Sequence, residues 1–252
     1  MQGTPPIAPD PKLAPTLAAF GDKPRAVLDR LASLEFRAVQ LSASQPGMRP
    51  HELDRSGRRD LLGRLRSLDI VPAGLDLWIP AAHLRDPART DRAVGAIQAA
   101  VELAADLGRV SLSLMLPRSD QDPDPIEPVL EAVIEKSLRY GVPLADFEVP
   151  PSDRADVRVG IDPVIWLSNG RDPVDAVAEH ADRVESVRLG DLTASGDRIP
   201  VGDEELGRLD LGAYRGALKR YGYNAPVVVD IRSTDDPWRQ LAESVHAWAV
   251  AG

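Results

Sequence analysis

The sequence predicts a (β/α)8 barrel of the α/β class. Short apolar runs rich in β-branched residues alternate with segments of helical spacing, and eight such runs fit into 252 residues. No repeat, low-complexity tract or linker interrupts the alternation, so residues 1–252 read as one domain, with 1–11 a flexible N-terminal segment. A doubly wound sheet uses the same local alternation and is the runner-up. The chain has no glycine-rich strand-to-helix turn of the GxGxxG kind, which weakens the nucleotide-binding form of that alternative.

The elements follow in order. Leu13 to Leu17 is the first strand, and a helix from about Asp22 to Leu34 presents Val27, Leu28 and Leu31. Ala38 to Leu41 is the second strand. After a long loop, a helix opening near Ser56 places Leu61, Leu65 and Leu68 on one face. Ile70 to Leu77 is the third strand. The helix after it has Thr90 as its expected cap, apolar Val94, Ile97, Val101 and Ala104, and Gly108 as its stop. Val110 to Leu116 is the fourth strand, and a loop dense in Asp and Pro leads to a helix from about Pro125 to Tyr140, stopped by Gly141. Pro143 to Phe147 and Val157 to Ile161 are the fifth and sixth strands. Only nine residues, Glu148 to Asp156, separate them, so a barrel here lacks its fifth helix. Asp172-Pro173 opens a helix, Ser186 to Leu189 is strand seven, and a helix spans about Leu211 to Tyr221. Pro226 to Ile231 is strand eight, and Asp236-Pro237 opens the last helix, with Trp238, Leu241, Val245 and Trp248.

Composition narrows the function. The net charge of −9 argues against nucleic acid as a partner, because phosphate binding needs concentrated basic surface. No stretch approaches the roughly 18 apolar residues of a membrane helix. The start, MQGTPPIAPDPK, lacks the pattern of a secretory signal, so the expected location is cytoplasmic. Cysteine is absent, which removes disulfides, thiolate metal sites and a cysteine nucleophile. Arginine makes up 26 of the 30 basic residues, so a lone arginine carries little functional weight.

In barrels of this kind the active site lies at the C-terminal ends of the strands. The residues there are Arg49 and His51 after strand two, Asp76 at the end of strand three with Trp78 and His83 beyond it, and Asp146 and Glu148 at strand five. Asp162 follows strand six, Arg188 and Asp191 mark strand seven, and Asp230 and Arg232 mark strand eight. Acids after strands five, six and eight suit a hard cation or a hydroxyl-rich ligand. Competing readings stand beside several of these. Asp162-Pro163 has the form of a helix cap followed by a first-turn proline, as do Asp86-Pro87, Asp172-Pro173 and Asp236-Pro237. Asp191 also reads as a turn cap. Trp78 and Trp166 suit either stacking on a sugar ring or core filling. Arg49, Arg55, Arg58 and Arg59 form either a phosphate grip near a helix N-terminus or a solvated helix face. His51 and His83 are candidate bases, whereas His180 and His246 lie in helices.

The stretches FRAVQLSASQPGMRP, PAGLDLWIPAAHLRDP, VGIDPVIWLSNGRDPVDAV, SVRLGDLTASGDRIPVGDEELGRLDL and YGYNAPVVVDIR resemble the xylose-isomerase-like TIM barrels. These are sugar phosphate isomerases and epimerases related to endonuclease IV, and the resemblance runs from about Leu13 onward. It implies a divalent metal (Mn, Mg or Zn) held by Glu, Asp, His and Glu after strands five to eight. The two Glu residues also move a proton beside a sugar carbonyl. Position by position, these become Glu148 (or Asp146, two residues away on the same face), Asp162, Arg188 and Asp230. A second histidine of the pattern is Ile165 here.

The departures set the expectation. Arginine stays protonated and ligates no cation. At about 5 Å and an effective dielectric near 20, two unit positive charges repel by roughly 3 kcal/mol. The sequence therefore predicts weak metal binding or none, with Arg188 taking the metal's place among Glu148, Asp162 and Asp230. The expected activity is isomerase or epimerase chemistry on a sugar or polyol with Glu148 and Asp230 as acid-base pair, and with Arg188, Trp78, His83, Arg49 and Trp166 as substrate contacts. The alternative is a non-catalytic barrel that binds a small anionic ligand or a protein partner. A homodimer through the flank left by the missing helix is a further expectation.

Overall fold

In the computed structural model, which describes residues 10, 12–21, 23–118, 126–203, 205–232 and 234–252, eight strands form one parallel sheet. They are β1 (Leu13–Pro15), β2 (Ala38–Ser42), β3 (Val71–Asp76), β4 (Leu112–Leu114), β5 (Leu144–Asp146), β6 (Arg158–Ile161), β7 (Val184–Leu189) and β10 (Val227–Val229). A small antiparallel ribbon, β8 (Asp191–Leu192) with β9 (Arg198–Ile199), lies between β7 and β10 in the chain. Each barrel strand pairs with its sequence neighbours, β10 pairs with β1, and a parallel bridge from Thr16 to Gln40 joins β1 to β2. The strand order never reverses, so this is the (β/α)8 barrel and not the doubly wound sheet. Strands buried on both faces read as near-continuous apolar runs, which is why LAP, LSL and VVV are legible as strands.

The outer layer consists of α1 (Pro24–Ser33), α2 (Arg55–Ser67), α3 (Ala81–Arg85), α4 (Thr90–Asp106), α5 (Glu127–Tyr140), α6 (Pro163–Ser168), α7 (Pro173–Glu179), α8 (Leu211–Arg220) and α9 (Pro237–Val250). Their N-termini show how aspartate punctuates this chain. The Asp54, Asp162, Asp172, Asp210 and Asp236 carboxylates accept backbone N–H groups at the starts of α2, α6, α7, α8 and α9. Proline follows three of them at the first helical position. Asp86-Pro87 differs, since Asp86 closes α3. Thr90 does not cap α4. It is the first helical residue, and its hydroxyl donates to the Leu84 and Asp86 carbonyls at 3.2 and 2.8 Å.

Among the described residues, no helix joins β5 to β6. The loop there is held by polar bonds instead. Buried Asp146 accepts the N–H groups of Leu116 (3.0 Å), Glu148 (3.1 Å) and Ser152 (3.1 Å), and pairs with Arg118. Arg183 donates to the carbonyls of Ser152, Arg154 and Val157. The short strands end earlier than their apolar runs, because the chain leaves the sheet at the mouth. Leu17–Phe20 becomes a 3-10 turn, and strand four ends at Leu114. The expected N-terminal segment 1–11, apart from Asp10, and the helix start at Pro125 lie outside the described residues. No helix among the described residues is long and apolar enough to cross a membrane.

Candidate functional site

Strand β7 alternates Val187, Arg188 and Leu189, so with its apolar neighbours turned to the helix layer, Arg188 points into the barrel. It is 0% exposed. Its guanidinium bonds Asp230, just past β10, and reaches Gln40 on β2 at 3.1 Å and Asp76 at the end of β3 at 3.5 Å. Two aromatic rings flank it, with its central carbon 4.8 Å from the Trp78 ring centroid and 5.0 Å from that of Phe147. Those rings meet edge to face at 5.7 Å. Gly160 on β6 makes this packing possible, since a Cβ there would lie 2.3 Å from Phe147 ring atoms.

Two further arginines close the cluster. Arg232 grips Asp230 through Nε at 2.8 Å and through a second nitrogen, and approaches Asp76 at 3.7 Å. Its guanidinium carbon lies 5.1 Å from the Trp78 ring centroid. Arg198, carried by the β8–β9 ribbon, donates to Asp162 at 2.6 Å and lies 3.5 Å from Asp230. Asp76, Asp162 and Asp230 thus face Arg188, Arg198 and Arg232, three acids against three bases. All three acids are buried, while Arg198 and Arg232 keep about a fifth of their side chains exposed (22% and 23%). Burial alone raises the Asp230 carboxyl, but Arg188, Arg232 and Arg198 overcome it and hold the group well below the usual carboxylate range. Burial opposes charge on Arg232 and Arg198 as well, and their acidic partners outweigh it and raise both.

The other sequence candidates are placed as follows. Glu148 lies beyond β5, half-buried, with no side-chain hydrogen bond to a described residue. Its carboxyl is raised by burial first and then by Asp146, against the lowering effect of Arg118 and Arg85. It shares no partner with Asp230. Asp146 is spent on the β5–β6 loop. Asp162 combines both of its readings, as one oxygen caps Val164 at 3.0 Å and the other receives Arg198. Asp191 secures the chain after the ribbon by accepting the N–H groups of Arg208 and Leu209 at 2.9 Å each.

Trp78 walls the cluster and donates to Asp76 at 3.3 Å. Trp166 is buried in α6 beside His180 and Arg171, in the helix layer. His83 contacts Arg89 at 2.8 Å. Arg49 is used within its own loop, on the Ser44 carbonyl and Glu52. Reasoning from the sequence missed Arg198 and Gln40. Arg198 sits in a polar turn-like stretch, and Gln40 lies inside an apolar strand, where an isolated amide was the available signal.

A divalent metal fits this donor set poorly. Asp230 receives three guanidiniums and Asp162 a guanidinium and a backbone N–H, so their lone pairs are engaged. Among the described residues no three His, Asp or Glu side chains are grouped to hold an ion. A cation at this place would sit beside Arg188, Arg198 and Arg232.

No family model matches the sequence, and no curated protein matches it. Solved structures do. A xylose isomerase domain protein from Planctomyces limnophilus aligns over 97% of this chain and 98% of its own, with 15% identity and a TM-score of 0.75. D-psicose 3-epimerase from Clostridium cellulolyticum H10, solved with D-tagatose, aligns over 94% and 97%, with 13% identity and a TM-score of 0.72. A sugar phosphate isomerase/epimerase from Parabacteroides distasonis aligns over 99% and 97%, with 11% identity and a TM-score of 0.67. The fold that this chain shares with these structures is the (β/α)8 barrel.

Proposed function

We propose that the barrel mouth binds a small hydroxyl-rich molecule of the sugar or sugar phosphate class without a divalent metal. The observation that carries this reading is the capture of Asp76, Asp162 and Asp230 by Arg188, Arg198 and Arg232. Among the described residues, these ion pairs leave guanidinium donors, the half-buried Glu148 carboxylate and an Asp76 Oδ1 without a hydrogen-bond partner. Arg198 and Arg232 supply N–H groups to ligand oxygens, and Glu148 accepts from a hydroxyl. The sugar-acting enzymes that share the architecture support the ligand class.

A second reading, turnover of isomerase or epimerase type, is favoured by Glu148, whose raised carboxyl suits proton transfer. Asp230 makes a poor partner for it, because a carboxylate held so far down is a weak base. Titration calorimetry in EDTA with fructose 6-phosphate, fructose and inorganic phosphate tests the binding reading, with Mn²⁺ added afterwards. Saturable binding of one of these that Mn²⁺ leaves unchanged and Arg232→Ala weakens about tenfold is expected. Binding that appears only with Mn²⁺, or no binding of any of the three, overturns it.

A further inference from the structure

Charge is divided unevenly along this chain. Residues 23–68, from the start of α1 to just past α2, carry ten basic residues against five acidic ones, a balance of +5. The remainder carries 20 against 34, a balance of −14. Internal pairing neutralises part of the basic stretch, since Arg64 meets Asp29, Arg58 meets Asp106 and Arg49 meets Glu52. Arg25, Arg55, Arg59 and Arg66 are exposed, and their side chains make no hydrogen bond or ion pair with described residues.

Two of these guanidiniums, Arg25 and Arg59, border a groove. Between α1 and α2 runs a cleft of about 590 Å³ lined by Arg25, Asp29, Arg59, Asp60, Gly63 and Arg64. Arg25 also borders a second hollow of about 410 Å³, floored by Pro24, Leu28, Met48, Leu53 and Leu61. Gly63 leaves the wall of the cleft open. It stands inside a thirteen-residue helix, where glycine is a poor helix former, and a Cβ there would meet nothing within 4 Å. Intramolecular packing therefore gives no reason for it. What it does is bare the helix backbone on the wall of the cleft, where another chain can come close.

We propose that the α1–α2 groove docks an acidic segment of a partner protein, with one apolar side chain of that segment in the hollow beside Pro24, Met48 and Leu61. Charge complementarity selects the acidic partner, and the adjoining apolar hollow selects a peptide over a bare polyanion. Screening limits the attraction to about 8 Å at physiological ionic strength, so a short segment meets only the groove. A duplex or an anionic bilayer would also face the negative remainder of the chain.

The test is fluorescence anisotropy with the full chain and a labelled Glu/Asp peptide carrying one leucine. Expected are saturable binding that weakens as salt rises, and a loss of about tenfold in Arg25→Glu/Arg59→Glu. A peptide lacking the leucine should bind more weakly. Gly63→Gln should raise the melting temperature yet lower affinity, a combination that a purely structural role cannot produce. The proposal is overturned if the acidic peptide fails to bind at low salt, or if charge reversal leaves binding unchanged. Tighter binding to duplex DNA or phosphatidylserine vesicles also overturns it, as does light scattering that shows self-association lost on charge reversal.

Discussion

Replacing Arg188 by leucine is the sharpest test of the barrel centre. The side chain is wholly buried, so its loss leaves the Asp76 and Asp230 carboxylates short of a counter-charge in the barrel interior. Removing one partner of a buried ion pair costs roughly 3–5 kcal/mol. Asp230 keeps Arg232 and Arg198, so the low end, about 3 kcal/mol, applies here. For a chain of this length each kcal/mol moves the midpoint by roughly 2–4 °C, which gives a fall of about 6–12 °C.

The pH dependence follows from the same pairing. A carboxyl held below its unfolded value stabilises the native state above that value, about 3.9 for aspartate, and the contribution fades as pH falls towards the folded value. Arg188→Leu removes part of that contribution at Asp230. The gap between wild type and variant should then be full at pH 7 and narrow below about pH 4. Urea unfolding followed by tryptophan fluorescence at several pH values measures both quantities. A variant within about 1 kcal/mol of wild type at pH 7 would refute the claim that this guanidinium neutralises the acids.

Other expectations follow from single contacts. Glu148 carries a carboxyl raised by burial, so its charged form disfavours the folded state once pH exceeds the unfolded value, about 4.3. Glu148→Gln should match or slightly exceed wild-type stability at pH 7, by about 0.5 kcal/mol, with the difference vanishing near pH 4 in the same urea assay. Asp146→Ala strands three backbone N–H groups and Arg118, and should cost about 3 kcal/mol. Hydrogen exchange should then speed up first in residues 147–157. Gly160→Ala forces the Phe147 ring off its seat and should cost about 1–3 kcal/mol, with a shifted Trp78 emission as the optical sign.

The barrel was legible because each strand–helix unit writes its own local pattern, and apolar runs, Asp-Pro starts and glycine stops report neighbours close in the chain. The gap between strands five and six was legible as simple length. Features that depend on partners distant in sequence were not. Asp146 and Glu148 share one face in the sequence pattern, yet Asp146 is committed to the loop backbone and Arg118, a pairing that spans 28 residues. Trp166 reads as a mouth residue if the chain stays extended after strand six. Asp162-Pro163 instead starts a helix at once, and the ring goes with it into the outer layer. Arg188 was found by position and residue type, whereas Arg198 depends on a two-stranded ribbon that polar residues with a Ser-Gly turn do not announce.

The contacts of Arg188 also bear on kinetics. Its bonds to Gln40, Asp76 and Asp230 span 148, 112 and 42 residues of chain, tying together strands from opposite halves of the sequence. Such a clasp can form only once the circle of strands has come together, so it belongs to the last step of folding and the first barrier to unfolding. Changes at this position should register in how long the native state survives, while the speed with which it is reached stays nearly the same.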